Sequence, residues 1–177
     1  MKLRFNIALC LAVSVLMQSA RANDADVEIT SQPKRIETQP TAGPHPDEVS
    51  KTQKWGYAVT LENKTFKPIQ NLEVRYIVFY KHEQLGIKAP PQKKQLSGTY
   101  PIDKIDSLGK VSFDTSPVVL TKALLIGEVG SYTYFTNGAK PKAEDSLTGI
   151  WIRVYRNGSL FAEHAQPSEL TSREKWE

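Results

Sequence analysis

Hydrophobic and polar residues alternate with a period of two along most of this chain, and helical periodicity is almost absent. Trp55, Tyr57, Val59 and Leu61 alternate with Gly56, Ala58 and Thr60, which predicts a half-buried strand ended by Asn63-Lys64. Leu72, Val74, Tyr76, Val78 and Tyr80 alternate with Glu73, Arg75, Ile77, Phe79 and Lys81. Ile77 and Phe79 make the second face apolar as well, so this strand is predicted to be central and covered on both sides. Leu96, Gly98 and Tyr100 predict a further strand. Val111 and Phe113 predict another, entered through the turn residues Ser107 to Gly109. Leu124 to Ile126 and Tyr132 to Phe135 are short apolar runs around Gly127 and Gly130.

The sharpest local signal lies near the end. Ile150, Ile152 and Val154 alternate with Trp151, Arg153 and Tyr155, then comes Asn157-Gly158, then Leu160-Phe161-Ala162. Asn-Gly between two such runs predicts a hairpin, because both central residues of a type I′ turn need positive φ. Upstream, Val27 and Ile29 alternate within residues 26–36, and Pro33 predicts an edge strand that breaks in the middle. Residues 39–47 hold Pro40, Gly43, Pro44 and Pro46 and read as a loop; residues 84–94 read as a second long loop. The tail, 167–177, is polar apart from Leu170 and Trp176, which predicts a short helix or disorder. Together these give an all-β fold: a single antiparallel two-sheet sandwich of about seven to nine strands, with a closed barrel as the alternative. The sandwich is expected over residues 51–166, preceded by an edge strand and Pro-rich loop over 23–50.

The first 22 residues change the picture of where this domain works. Lys2 and Arg4 precede an uncharged run from Ile7 to Met17, and Ala20-Arg21-Ala22 supplies the small residues that signal peptidase reads. Cleavage is expected before Asn23, so Ala20, Ala22 and Asn23 define the processing site. A membrane span needs about 20 apolar residues, more than this run provides. Lipid attachment at Cys10 is disfavoured by Leu9 in front of it. The expected location is therefore periplasmic or secreted, with no transmembrane anchor. Cys10 is the only cysteine, so the mature chain would have none and would rest on its core alone. That absence favours a bacterial envelope protein. Of the 23 Lys and Arg residues, Lys2, Arg4 and Arg21 lie in the leader, which leaves 20 against 19 acidic residues. A nearly neutral mature chain gives no reason to expect nucleic acid as a partner.

Two segments resemble pieces of an immunoglobulin-like or fibronectin type III-like sandwich. One is Tyr57-Ala58-Val59-Thr60-Leu61-Glu62-Asn63 followed by Leu72-Glu73-Val74-Arg75-Tyr76; the other is Asp145-Ser146-Leu147-Thr148-Gly149-Ile150-Trp151, similar to an aspartate-then-aromatic corner leading into a late strand. The aspartate stands two residues early, the aromatic is Trp rather than Tyr, and there is no cysteine pair. The resemblance implies a fold, extending over Trp55 to Glu163. It carries no function, because this fold hosts many.

Candidate chemistry is thin. His45, His82 and His164 lie far apart without paired-ligand spacing; His45 with Asp47 and Glu48 is the only candidate cation site, and no cofactor is expected. Ser131, Asp145 and His164 assemble into a triad only on paper, since no G-x-S-x-G marks a nucleophile. Adjacent Glu144 and Asp145 would face opposite ways on a strand. Lys81, Lys88, Lys93, Lys94 and His82 gather in one stretch that would touch an anionic surface, or simply be solvated. Asn63-Lys64-Thr65 and Asn157-Gly158-Ser159 fit the glycosylation sequon but also sit where turns need them. The best surface candidate is Trp151, Arg153 and Tyr155. With Ile150, Ile152 and Val154 inward, these three line the opposite face, where an aromatic-basic-aromatic row stacks on sugar rings if exposed, or forms a packed cross-strand cluster if covered. The expectation is a non-catalytic envelope module whose partner is a polysaccharide or an envelope protein. The alternative is an enzyme or enzyme inhibitor without a recognisable motif.

Overall fold

The computed structural model describes residues 26–42, 48–125 and 141–176. The cleavage site at Ala20, Ala22 and Asn23, the residues His45 and Asp47, and the segment from Ser131 to Phe135 lie outside these. Nine strands and one helical turn follow in order: β1 (Val27–Ala42), β2 (Glu48–Asn63), β3 (Ile69–His82), β4 (Gln92–Ile105), β5 (Lys110–Asp114), β6 (Val118–Leu125), β7 (Lys142–Glu144), β8 (Ser146–Arg156), β9 (Ser159–Gln166) and α1 (Leu170–Arg173). One sheet has the order β1-β2-β6-β7 with β5 also paired to β2; the other has the order β4-β3-β8-β9. Every pairing is antiparallel. The fold is the two-sheet antiparallel β-sandwich that the alternating pattern predicts.

The core lies between the sheets and takes one parity of each strand. Tyr57, Val59 and Leu61 of β2 and Phe113 of β5 belong to the same buried cluster as Leu72, Val74, Tyr76 and Val78 of β3 and Ile150, Ile152 and Val154 of β8. The second face of β3 is covered too: Ile77 and Phe79 are buried with Trp151 and Leu170 in a separate cluster. Two covered faces explain why β3 reads as apolar on both sides.

Strand β1 corrects the reading of the N-terminal segment. It runs past Pro33, which pairs with Tyr57, and its irregularity falls between Arg35 and Glu37 instead. Residues assigned to the loop continue the ladder, with Pro40 opposite Lys51 and Ala42 opposite Val49. The sandwich therefore begins at Val27 rather than at residue 51. The physical reason is that β1 ends its sheet's strand order, and an edge strand tolerates proline because one side of its backbone owes no ladder bond.

Strand β2 changes partners midway, from β6 to β5. At the junction the buried Thr115 donates its backbone N–H to Tyr57 O at 2.9 Å and accepts the Tyr57 N–H on Oγ1 at 2.9 Å. The next amide, Ser116 N–H, donates across the sandwich to the Tyr76 hydroxyl at 2.9 Å. Tyr76 reaches it by lying over Gly98, where a Cβ would stand 2.3 Å from the Tyr76 hydroxyl oxygen. The β8–β9 hairpin turns at Asn157 (φ 50°) and Gly158 (φ 79°), the two positive values that a type I′ turn requires.

Candidate functional site

Strand parity puts Trp151, Arg153 and Tyr155 on the outer face of β8, because Ile150, Ile152 and Val154 are fully buried on the inner one. Register then sets their neighbours. Trp151 lies between Ile77 of β3 and Ala165 of β9, Arg153 between Arg75 and Glu163, and Tyr155 between Glu73 and Leu160.

The row is not uniformly exposed, and of the two alternatives Trp151 takes the covered one. Its indole is only 4% exposed. The C-terminal tail covers it: α1 brings Leu170 against the outer face, and Trp176 meets Trp151 edge-on with centroids 5.3 Å apart. Gly149 makes this approach possible, since a Cβ there would stand 2.4 Å from Gln166 O and 2.6 Å from Leu170 Cδ1. Lys93 of β4 holds the tail from the other side through Glu174, at 2.7 Å.

Under the tail the polar atoms are matched. Trp151 Nε1–H donates to Glu163 Oε1 at 2.9 Å, and Arg153 Nε–H donates to the same oxygen at 2.6 Å. The Arg153 guanidinium lies 4.8 Å from the Trp151 ring centroid and 4.5 Å from that of Trp176. The cation is about three-quarters enclosed and rests against both indoles, a favourable cation–π arrangement.

Beyond the tail the face opens. Arg75 lies over Tyr155 at 4.6 Å and pairs through Nε with Glu73. The hydrogen bond to Glu73 holds the Arg75 guanidinium above its ordinary pKa. Between this pair and Trp176 runs an open groove of about 740 Å³, with Ile77, Ser97 and Thr99 also lining it. Tyr155 and Trp176 both remain partly exposed along it. The groove thus offers aromatic surface, a carboxylate–guanidinium pair and two hydroxyls. Of the residues that build it, sequence reasoning identified Tyr155 but not Glu73, Arg75 or Trp176. The first two were legible as the outer parity of β3, and Trp176 as an isolated aromatic in a polar tail.

The other candidates are dispersed. Asp145 does not meet His164. Its carboxylate is 5% exposed and accepts from His82 Nδ1 at 2.9 Å, from Glu83 N–H at 3.0 Å and from Thr121 N–H at 2.9 Å. It thereby joins β3 to β6, one strand from each sheet, and accepts on both oxygens. His164 pairs with Ser31, 3.2 Å from its Oγ, and that hydroxyl donates its proton to Gln166 Oε1 at 2.7 Å. Ser31 thereby ties β1 to β9 through His164 and Gln166. Glu144 points outward to Lys122 and Lys142. Hydrogen bonds to those lysines, Lys142 first, lower its pKa. The lysine-rich stretch divides, with Lys93 turned to Glu174 and His82 to Asp145. Among the described residues no group of three His, Cys, Asp or Glu side chains is placed to hold a metal.

The sequon at Asn63 is a buried turn. Asn63 is fully buried; its amide donates to Lys67 O at 2.8 Å and Asp106 O at 2.9 Å, and its Oδ1 accepts from Thr65 N–H at 2.9 Å and Thr65 Oγ1–H at 2.8 Å.

These features define an all-β sandwich domain with a half-roofed aromatic–arginine face. No family model matches the chain. No curated protein matches it. Among solved structures it is similar to Northeast Structural Genomics Consortium target SoR45, with a TM-score of 0.37 and 10% identity over 80% of this chain and 86% of that one. It is also similar to a protein from Akkermansia muciniphila, with a TM-score of 0.27 and 13% identity over 78% of this chain and 70% of that one.

Proposed function

We propose that this chain is a non-catalytic binding module of a bacterial cell envelope, working outside the cytoplasm, and that it binds through the groove beside Tyr155. The observation that carries the reading is the half-roofed face itself. The tail buries the Trp151 end, yet Tyr155, Arg75 and Trp176 stay accessible around an open groove. Partly exposed aromatics beside a charged pair favour recognition over chemistry. The two described histidines support the same reading: His82 is engaged by a buried aspartate, and His164 by Ser31, whose hydroxyl also reaches Gln166.

The location rests on Lys2, Arg4, the run from Ile7 to Met17 and Ala20-Arg21-Ala22. Among the described residues no helix is long and apolar enough to cross a membrane. Intact-mass measurement of protein from a secreting host should give an N-terminus at Asn23 without lipid. A retained leader or a lipid mass on Cys10 would refute the location. The finer fold reading is an immunoglobulin-like or fibronectin type III-like arrangement. It is supported by the four-stranded order β4-β3-β8-β9 facing a sheet centred on β2, with the last two strands of the first sheet closing as a hairpin.

The binding role is tested with Arg75→Ala and Tyr155→Ala in sedimentation with envelope polysaccharide and envelope-protein fractions. Binding should fall at least tenfold in both variants while the melting temperature moves little. Wild-type protein that binds neither fraction, or variants that bind like wild type, would sink the proposal.

A further inference from the structure

Building on the binding role proposed above, we infer that the groove takes a neutral saccharide, with a sugar ring against Trp176 and adjacent hydroxyls held by the Glu73–Arg75 pair. Each guanidinium on this face carries its own carboxylate: Arg75 has Glu73 and Arg153 has Glu163. An anionic ligand reaching Arg75 meets Glu73, and a cationic ligand reaching Glu73 meets Arg75. The ligand these pairs accommodate is one whose groups both donate and accept. A sugar hydroxyl does both: it gives its proton to the carboxylate and takes a guanidinium N–H on its oxygen.

Thr99 stands directly opposite Arg75, and Ser97 directly opposite Ile77, so both hydroxyls share the outer face of the sheet with the ion pair. Both are exposed, as is Arg75. Hydroxyls from one strand and a donor–acceptor pair from its neighbour make a polar floor that spans the groove. Trp176 rises beside it and stays partly exposed even though its ring already meets Trp151 and Arg153. A pyranose ring has one face of C–H groups and a rim of hydroxyls, which is the complement of an aromatic wall beside a polar floor.

The groove is also preorganised. Arg75 is fixed by Tyr155 as well as Glu73. Trp176 is fixed by Arg153 and by the tail, which Lys93 ties to β4. Groups already held in place lose little freedom when a ligand arrives. The volume, about 740 Å³, is within the range of small-molecule sites and leaves room for more than one ring.

The experiment titrates the full chain with a panel of neutral, uronate-containing and amino-sugar oligosaccharides, reading calorimetry and tryptophan emission. Glu73→Gln and Trp176→Ala follow, with Thr99→Val as a variant that leaves the tail contacts alone. The expected result is binding of a neutral member that hardly changes between low and high salt. Glu73→Gln should weaken it at least fivefold, and Thr99→Val should weaken it measurably without moving the melting temperature. Strong salt dependence, or preference for the uronate with tighter binding by Glu73→Gln, would overturn the neutral-sugar assignment and leave the binding role standing. Retention of an envelope protein with no sugar bound would likewise overturn it. A wild-type chain that binds neither sugars nor envelope fractions would remove both proposals.

Discussion

Arg75 stands directly opposite Arg153 on the paired strands β3 and β8, two cations on one face of one sheet. Like charges at directly opposed positions destabilise a strand pair. Here each is compensated in its own way. Arg75 lies in the open with Glu73 and Tyr155, whereas Arg153 is about three-quarters enclosed, against two indoles and with Glu163. The same pair of residues thus divides the face into an open half and a roofed half.

That division predicts unequal costs for two similar substitutions. Glu163→Gln removes the carboxylate that neutralises the enclosed Arg153 and also serves the Trp151 indole. It should cost about 1–3 kcal/mol, the range for a partly buried group whose charged partner is lost. Glu73→Gln breaks a pair whose side chains are 49% and 44% exposed, and should cost under about 1 kcal/mol. Urea denaturation of both variants decides it, and equal effects would show that the tail does not desolvate Arg153.

Trp151→Ala should cost about 3–5 kcal/mol, as expected for deleting a buried aromatic. Trp176→Ala should cost less, since that ring is partly exposed. Denaturant midpoints give the ranking. A nearly unchanged midpoint for Trp151→Ala would mean that the indole is not part of the packed face.

Most of the sandwich was legible because alternation and burial report the same physics. The two-faced apolar pattern of Leu72 to Tyr80 correctly marked a strand covered twice, and Asn157-Gly158 correctly marked the hairpin. What escaped was non-local or permissive. Pro33 correctly marked an edge strand, but Pro33 and Pro40 looked like breaks because sequence alone does not show that the ladder to β2 continues past both. The burial of Trp151 depends on Leu170 and Trp176, far along the chain in a segment whose helix is a single turn, too short to leave a periodic signal. Parity placed the row on the outer face; only tertiary structure revealed its cover.

Gly149→Ala should loosen that cover. A Cβ would meet Gln166 O at 2.4 Å, which is backbone, as well as Leu170 Cδ1 at 2.6 Å, so the tail has to shift. The expected consequence is faster tryptic cleavage after Arg173 and Lys175, with red-shifted tryptophan emission as Trp151 gains water. An unchanged cleavage rate would show that the tail is not seated on Gly149.

Gly158→Val tests the hairpin without crowding anything, because a Cβ there meets no atom within 4 Å. The whole effect is then backbone strain at φ 79°. A cost of about 1–2 kcal/mol is expected from a β-branched residue forced into the left-handed region. A denaturation midpoint equal to wild type would contradict the turn.

The last prediction concerns Asp145, which binds the two sheets together at one end of the sandwich. Its carboxylate accepts from His82 Nδ1, Glu83 N–H and Thr121 N–H while only 5% exposed. Asp145→Asn keeps the shape but replaces one acceptor oxygen with an NH₂ donor. Either Thr121 N–H on one side, or Glu83 N–H and the His82 ring on the other, must then face a donor. An unsatisfied buried donor costs about 1–3 kcal/mol, so a loss in that range is expected. His82→Ala removes a single donor from a half-exposed ring and leaves the two backbone bonds intact, so it should cost less, about 1 kcal/mol. Because the His82 bond belongs to the same carboxylate, the two effects should not add: the double variant should be little worse than Asp145→Asn alone. Strict additivity in urea denaturation would falsify the picture of one carboxylate joining β3 to β6, and would place the stabilising role of Asp145 elsewhere.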